Sequence, residues 1–315
     1  MSVSKAAEVI VITGPTATGK SALGVCLAKL VNGEIVSADS MQVYMYMDIG
    51  TAKPTVEEML GVPHHLLDFI PPWEDYSVAR YVEDASKCVN DILGRGKLPI
   101  IVGGTGLYID SLLKGRAFLT RGDDDLRRRL EAEYDNTGGE AMLKKLSDVD
   151  AESAAKLHAN DKKRIVRAFE TFMAARKPIS QHDAESKALP PRYNAIKVAL
   201  SFSDRADLYS RIDFRFDNMM SMGLENEVRS LLDLGVSRIN TSMQAIGYKE
   251  ICDAIIGGLD ANDAVEKIKM ESRRYAKRQL TWFRRDNDIK WLVWEKVPDI
   301  DGGVQKVMEL VNEAK

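Results

Sequence analysis

One stretch near the start of the chain limits the folds available to it. Residues Val9–Ile12 form a short apolar run, the sequence GPTATGKS follows at Gly14–Ser21, and an amphipathic segment comes next. This order of strand, G-x-x-x-x-G-K-[ST] loop and helix is the P-loop pattern. The amides of such a loop and the first turn of its helix direct partial positive charge at phosphate oxygens. The pattern predicts an open α/β sheet and a phosphate-containing ligand.

The chemistry of this loop recognises a diphosphate and does not by itself specify a nucleotide. Lys20 would add a full positive charge, and Ser21 would supply a hydroxyl ligand for Mg²⁺. The predicted diphosphate-binding residues of the loop are Gly14, Pro15, Thr16, Ala17, Thr18, Gly19, Lys20 and Ser21. ATP-using enzymes with this loop usually have an acidic residue at the tip of a later strand. Here the best later strand, Leu98–Val102, is followed by glycines. The loop alone therefore does not identify which diphosphate compound binds.

Strands and helices alternate along the first hundred residues, which predicts a parallel sheet covered on both faces. From about Leu119 to Pro191 only charged amphipathic helices are indicated, and strand signals return at Ile196–Leu200. We therefore predict a P-loop NTPase-like doubly wound α/β core, residues 1–118 and 192–315, with an inserted all-helical subdomain, residues 119–191. The other predicted elements are helices at Ser21–Leu30, Ser77–Leu93, Asp125–Tyr134, Gly139–Leu146, Lys162–Ala175, Asp204–Met222 and Ala261–Arg284, strands at Glu34–Ala38 and Trp291–Trp294, and a final amphipathic helix.

Composition excludes some classes of protein. The 315 residues carry 44 Lys and Arg against 47 Asp and Glu, so no overall positive field indicates nucleic acid. The first residues do not resemble a signal peptide, and no uninterrupted apolar run is long enough for a membrane span, so we expect a cytoplasmic protein. Cys26, Cys88 and Cys252 lack disulfide or zinc-site spacing and are predicted to be small core residues.

Candidate catalytic and binding residues lie outside the loop as well. Asp39 follows the second predicted strand, so it should face the same crevice as the loop. It could cap a short helix, bind the metal, or act as a general base, and residue types alone do not separate these roles. Arg211 and Arg215 share one helix face, either as a solvated pair or, near Phe214 and Phe216, as a phosphate clamp.

Histidine and local charge give weaker signals. His64 and His65 have no matching ligand cluster and are predicted to be loop-anchoring hydrogen-bonding residues. Two segments are locally basic: Lys156–Lys177, with a net charge of +5, and Lys267–Lys290, with a net charge of +6. Each could be a solvated helix face, but two such runs in a net-negative chain favour a polyanionic partner.

Seven stretches, in order and over nearly the whole chain, resemble the bacterial tRNA dimethylallyltransferases. They are GPTATGKS, SADSMQVYMYMDIGTAKP, VPHHLLD, PIIVGGTGLYI, HANDKKRIVRAFE, QAIGYKE and KRQLTWFRRD. The resemblance implies transfer of a dimethylallyl group from its diphosphate to the exocyclic amine of the adenosine 3′-adjacent to the anticodon, in tRNAs whose anticodons end in A. It implies Mg²⁺ as cofactor, the tRNA anticodon stem-loop and dimethylallyl diphosphate as partners, and no membrane. We expect a monomer.

The resemblance also implies roles for particular residues. Lys20, Arg215 and the loop amides would bind the diphosphate with magnesium near Ser21, Asp39 would take the amine proton, and Thr105 would lie near the reacting centre. The positions implied to contact tRNA are Asp39, Ser40, Met41, Gln42, Thr105, Arg127, Lys163, Arg164, Ile165, Val166, Arg167, Gln244, Gly247, Tyr248 and Lys249. Lys163 stands where the family often has glutamine, which would affect contact with tRNA and not the chemistry.

Three other functions fit parts of the sequence. A small-molecule kinase would share the loop but need ATP and an acidic magnesium ligand. An enzyme that prenylates free adenine nucleotides would share the diphosphate chemistry but have little use for the basic insertion. A non-catalytic RNA-binding regulator would not need Lys20 together with Asp39.

Overall fold

The computed structural model describes residues 7–115, 124–188 and 190–313. These residues fall into two compact units, one formed by the chain up to Leu113 and from Tyr193 onward, the other by Lys114–Arg192. The predicted start of the insertion, near Leu119, lies outside the described residues. Among the helices described, none combines the length and the apolar character that a membrane crossing requires.

The first unit is built on a six-stranded sheet in which every pair of neighbouring strands is parallel. The spatial order is β3-β2-β4-β1-β5-β6. The strands are β1 (Val9–Thr13), β2 (Gly33–Ser37), β3 (His64–His65), β4 (Leu98–Val102), β5 (Ala195–Phe202) and β6 (Lys290–Trp294). Parallel pairing turns all carboxyl ends to one edge, so the loops after β1, β2 and β4 share that edge.

Helices cover this sheet and form the second unit. In the first unit they are α1 (Lys20–Val31), α2 (Val56–Met59), α3 (Val78–Gly94), α4 (Gly106–Lys114), α10 (Arg205–Ser221), α11 (Leu224–Asp233), α12 (Tyr248–Ile256), α13 (Val265–Phe283) and α14 (Ile300–Glu313). In the second unit they are α5 (Asp124–Thr137), α6 (Gly139–Val149), α7 (Ala151–Ala154), α8 (Lys162–Ala175) and α9 (Ile179–Ala188). Short 3₁₀ turns lie at Ser242–Gln244 and Ala261–Ala264.

Each unit has its own apolar core. In the first, buried side chains of β1, β4 and β5 pack against α1, α10 and α14. In the second, a smaller cluster joins α5, α6 and α8 around Leu130, Leu146 and Ile165. The fold class predicted from the sequence, a P-loop NTPase-like α/β sheet, is confirmed.

Helix ends follow the capping residues that the sequence contains. The Ser77 side chain accepts a hydrogen bond from the Arg80 amide at 3.3 Å, and Asp204 accepts one from Ala206 at 2.8 Å, so both predicted caps are confirmed. The predicted helix from Ala261 is different, because Asp260 caps a 3₁₀ turn and the α-helix begins only at Val265.

Three other predictions need adjustment. Phe214 is 67% exposed and does not pack, whereas Phe216 is buried. Cys252 is a core residue as expected, but Cys26 and Cys88 are only half-buried. The two histidines do form hydrogen bonds, with the Val62 carbonyl and the Glu34 carboxylate at 2.8 Å each, yet they lie on an edge strand rather than in a loop.

Candidate active site

The loop at residues 14–21 requires glycine at its entrance. Gly14 has a φ of +127°, and a side-chain carbon there would lie 2.5 Å from the carbonyl oxygen of Leu200 on β5. Gly19, at the start of α1, has a φ of +87°. No L-residue with a side chain adopts these conformations easily. The glycines of the motif therefore serve both the turn and its close packing on the neighbouring strand.

Carbonyl groups of this loop accept hydrogen bonds from side chains of the loop itself and from side chains in distant parts of the unit. The Pro15 carbonyl accepts from Lys20 Nζ at 2.7 Å and from Thr18 Oγ1 at 2.9 Å. Arg211 Nε donates to the Ala17 carbonyl at 3.0 Å, and Trp294 Nε1 donates to the Thr18 carbonyl at 2.9 Å. These bonds fix the peptide planes of the loop before any ligand binds, which reduces the cost of ordering it around an anion.

Lys20, Arg215 and Asp39 interact electrostatically. Burial, and secondly the positive charge of Arg215, lower the pKa of Lys20 from 10.5 to about 7, while the charge of Asp39 opposes that shift. Burial likewise lowers the pKa of Arg215, and Asp39 opposes that shift too. Two partly desolvated cations next to each other favour an anionic ligand, because a diphosphate would compensate both.

We expect diphosphate binding to weaken as the pH rises above 7. Below pH 7 Lys20 is already charged in the free protein, so binding needs no extra proton. Above pH 7 the free protein has a neutral Lys20, while a bound diphosphate raises its pKa, so binding must take up a proton. Pyrophosphate affinity measured by calorimetry should fall by up to about tenfold per pH unit between pH 7 and 9.

Lys20→Arg is the control for this pH dependence, since an arginine remains charged over that range. Its pyrophosphate affinity should vary little between pH 7 and 9. If pyrophosphate affinity fell as steeply with pH in Lys20→Arg as in wild type, the titrating group would be one other than Lys20.

Asp39 and Thr105 lie on adjacent connections at the carboxyl edge of the sheet. Asp39 Oδ1 accepts from the amides of Met41 at 2.9 Å and Gln42 at 3.4 Å, and Thr105 Oγ1 accepts from the amide of Ser40 at 3.1 Å. The Thr105 amide donates to Ala38 at 3.1 Å. Asp39 is thus a cap, but of a turn and not of the helix that the sequence suggested. Only Oδ1 of the carboxylate serves as the cap, so capping does not exclude a catalytic role for Asp39.

One face of α13 completes this edge, and the sequence analysis did not single it out. The Gln279 carboxamide accepts from the Thr16 amide at 3.1 Å and donates to the Gly104 carbonyl at 2.9 Å, joining the 14–21 loop to the connection that carries Thr105. Burial raises the pKa of Tyr275, one turn earlier, to about 12, and the neighbouring Thr105 hydroxyl opposes that shift. Tyr275 and Gln279 are four residues apart and therefore share one helix face. This spacing would have indicated a contact with the site only if the loops covered by the helix were known.

Predicted RNA-contacting residues of the first unit differ in how much side chain they expose. Gln244 is exposed, and Ser40, Met41, Gln42 and Lys249 are half-buried. In contrast, Gly247 is buried, and the Tyr248 side chain is completely buried and bonds to Glu227. The Tyr248 side chain therefore presents no surface to a partner in this structure.

In the second unit the predicted RNA-contacting segment is the first half of α8. Ile165 and Val166 belong to the core, so they offer no surface to a partner. Lys163 and Arg164 are exposed. Arg127 and Arg167 both approach the buried carboxylate of Glu170, at 3.0 and 3.5 Å. The segment therefore presents Lys163 and Arg164 outward, while Arg127 and Arg167 also stabilise the unit.

Ion pairs reduce the positive charge that the two basic runs display. In the first run Lys162 bonds to Asp135, and in the second Arg273 bonds to Asp213 and Lys269 to Asp217. Arg278 instead lies over the ring of Tyr275, and Arg285 lies over the ring of Trp282. The charge available to a partner is therefore smaller than the sequence count suggests.

Comparison with known proteins identifies the family. The model described as IPP transferase matches residues 42–286, and that described as Isopentenyl transferase matches residues 7–69. The chain belongs to the IPP transferase family. Its relatives include a tRNA dimethylallyltransferase of Acetivibrio thermocellus, 48% identical, with 90% of this chain and 91% of the relative covered. Another, from Desulforudis audaxviator, is 45% identical, with 96% of each chain covered.

Solved structures of IPP transferases share the fold. The full-length tRNA isopentenylpyrophosphate transferase of Bacillus halodurans matches with a TM-score of 0.73 and 40% identity, over 98% of this chain and 96% of that one. A eukaryotic dimethylallyltransferase acting on tRNA matches with a TM-score of 0.83 and 29% identity, over 97% of this chain and 78% of that one. The chain is therefore an enzyme of this family, and the resemblance seen in the sequence is confirmed.

Proposed function

We propose that this protein transfers a dimethylallyl group from dimethylallyl diphosphate to the exocyclic amine of the adenosine 3′-adjacent to the anticodon, in tRNAs whose anticodons end in A. One observation carries the proposal. In a member of a family whose relatives are named tRNA dimethylallyltransferases, an anion-binding loop, two partly desolvated cations, a carboxylate and a threonine meet at one sheet edge.

The donor diphosphate is the group that the loop and the cations fit. Lys20 and Arg215 would compensate its charge, and the loop amides would surround its oxygens. The exposed hydroxyl of Ser21 follows at the first turn of α1 and suits Mg²⁺, which binds through substrate phosphates and keeps several of its waters. When bound there, magnesium would neutralise charge on the leaving diphosphate. In the described residues no cluster of His, Cys, Asp or Glu offers a richer ligand set.

The transfer itself needs a nucleophile, a leaving group and a proton acceptor. The adenine amine forms a bond to C1 of the dimethylallyl group, the bond from C1 to the diphosphate oxygen breaks, and the amine proton passes to the Asp39 carboxylate. Asp39 is half-buried beside the cations that would bind the donor, and Thr105 accepts a hydrogen bond from the Ser40 amide at the same edge. The gain in rate comes from alignment and from stabilising the diphosphate.

The target base must leave its stack to reach this edge. Extruding a base costs roughly a few kcal/mol and less in a loop than in a duplex, which suits an anticodon loop as substrate. Residues 39–42 and 244–249 in the first unit, and Lys163 and Arg164 in the second, are the positions assigned to tRNA contact.

The test is a reaction without any nucleoside triphosphate. Purified protein, Mg²⁺, dimethylallyl diphosphate and an unmodified anticodon stem-loop should yield a stem-loop heavier by one dimethylallyl group, detected by mass spectrometry. Free AMP in place of the stem-loop should give little product. Phosphorylation of a small acceptor that depends on ATP, with no prenyl transfer, would overturn the proposal in favour of a kinase, and preferential prenylation of AMP would favour a nucleotide prenyltransferase.

Salt dependence should reveal the phosphate contacts of α8. Arg164 is 73% exposed and its nearest carboxylate, Asp161, is 3.8 Å away, so its charge is available to a partner. Arg164→Ala should weaken stem-loop binding and lower the slope of log affinity against log salt by about one unit at most. Affinity titrations at several salt concentrations measure this.

Arg128→Ala is the matched control, because Arg128 is equally exposed but lies on α5 outside the assigned segment. It should leave the slope unchanged. An unaltered slope in Arg164→Ala would mean that this face of α8 is only solvated, and would move the phosphate contacts to α13.

A further inference from the structure

The loop at residues 48–50 is held by a single carboxylate from another part of the first unit. Glu227 Oε2 accepts from the amides of Asp48 at 2.9 Å and Ile49 at 2.8 Å, and its Oε1 accepts from the amide of Gly50 at 3.2 Å. Three successive amides thus point at one side chain. Bonds between amides and an ionised acceptor are about twice as strong as neutral ones.

Glu227 also joins this loop to the segment at residues 244–249. Its Oε1 accepts a hydrogen bond from the hydroxyl of Tyr248, which is completely buried. The tyrosine ring fills the space beside Gly50, where a side-chain carbon would lie 2.4 Å from the ring. Burial and the Glu227 charge raise the pKa of Tyr248, so the hydroxyl remains a donor.

The loop is tied in turn to the segment that follows Asp39. The Gln42 carboxamide donates to the carbonyls of Thr51 at 3.1 Å and Ala52 at 3.0 Å. The two side-chain N–H groups of Gln42 are therefore occupied within the protein. A continuous chain of hydrogen bonds runs from residues 39–42 through residues 48–52 and Glu227 to Tyr248.

We propose that Glu227 is a positioning residue that fixes residues 39–42 and residues 244–249 in a single arrangement for binding the RNA substrate. The proposal rests on the function proposed above, because both segments are assigned there to tRNA contact. Glu227 itself lies on α11 and is a tether rather than a contact. Its loss should affect RNA binding and leave the diphosphate loop intact, because the bonds at residues 14–21 come from Lys20, Arg211, Gln279 and Trp294.

The experiment compares Glu227→Gln with wild type. Glutamine keeps the size but removes the charge and leaves one oxygen in place of two as acceptor. We expect KM for the stem-loop to rise about tenfold or more, while kcat at saturating stem-loop and KM for dimethylallyl diphosphate change less than about twofold. Hydrogen exchange at the amides of Asp48, Ile49 and Gly50 should become faster. The control is Glu225→Gln on the same helix, whose carboxylate bonds to Arg229, and it should behave as wild type.

Tyr248→Phe gives a second, independent variant. It removes the hydroxyl and keeps the ring against Gly50, so it should raise KM for the stem-loop in the same direction. Because both changes break one network, the double variant should show less than the product of the two single effects.

Three results would overturn the proposal. One is an unchanged KM for the stem-loop in Glu227→Gln. Another is a fall in kcat with both KM values unchanged, since a merely structural role lowers the fraction of active protein. The third is fully independent effects of the two substitutions. Wild-type protein that neither binds nor prenylates the stem-loop would instead refute the proposed function, and the inference with it.

Discussion

Lys20→Ala is expected to lower kcat/KM for prenyl transfer by roughly 10²- to 10³-fold, the magnitude typical of losing one donor at a developing anion. The variant removes one of the two cations beside the diphosphate loop and also the bond from Lys20 to the Pro15 carbonyl. Pyrophosphate binding, measured by calorimetry, should fall below detection. Thr18 Oγ1 still bonds to Pro15, so the loop should keep its shape.

The control for Lys20 is Lys29→Ala, an exposed lysine in the last turn of the same helix. It should leave both measurements at the wild-type level. Stem-loop binding and its salt slope should be nearly unchanged in Lys20→Ala, because the proposed function places the lysine at the donor and not at the RNA backbone. Retained pyrophosphate binding in Lys20→Ala would remove the 14–21 loop from donor recognition.

Asp39→Asn is expected to lower turnover by about 10²-fold or more while the melting temperature stays nearly constant. Asparagine keeps the Oδ1 acceptor for the amides of Met41 and Gln42, so the turn after β2 should persist. What disappears is the group that can take the amine proton. Single-turnover rates and thermal unfolding together test this, and turnover equal to wild type would leave Asp39 as a cap only.

Asp204→Asn makes the same chemical change at another capping aspartate and should not affect turnover. A magnesium titration separates the two catalytic roles that remain for Asp39. If Asp39 were a metal ligand, excess Mg²⁺ would restore activity to Asp39→Asn. If it is the base, excess Mg²⁺ should have no such effect.

Much of the fold could be predicted because local sequence patterns indicate its strands and helices. The strand Leu98–Val102 and the helix Lys162–Ala175 have the predicted bounds, since apolar periodicity and flanking turn residues report directly on each. The strand at His64–His65 was missed because two residues carry no period, and it exists only because β2 offers an edge. Local sequence patterns could not predict whether Phe214 is buried either, because its burial depends on which face of α10 meets the sheet.

For the candidate site, the sequence predicted residue types better than their partners. Lys20, Asp39, Thr105 and Arg215 could be singled out because their order matches a family, and their roles stay predictions. The supports from Gln279 and Trp294 could not, because the bonds they make span 263 and 276 residues and leave no local trace. Burial of Tyr248 was equally hidden, since its partner Glu227 lies on a different helix.

Those long spans also affect the order in which the protein is assembled. The 14–21 loop is made early during synthesis, yet three of the side chains that bond its backbone come from residues 211, 279 and 294. Contacts so distant along the chain carry a loop-closure cost and slow folding. A nascent chain that has emerged only as far as β5 therefore has the phosphate-binding sequence without those three bonds. The loop should therefore reach its full affinity for a diphosphate only once β6 has joined the sheet and Trp294 bonds to the Thr18 carbonyl.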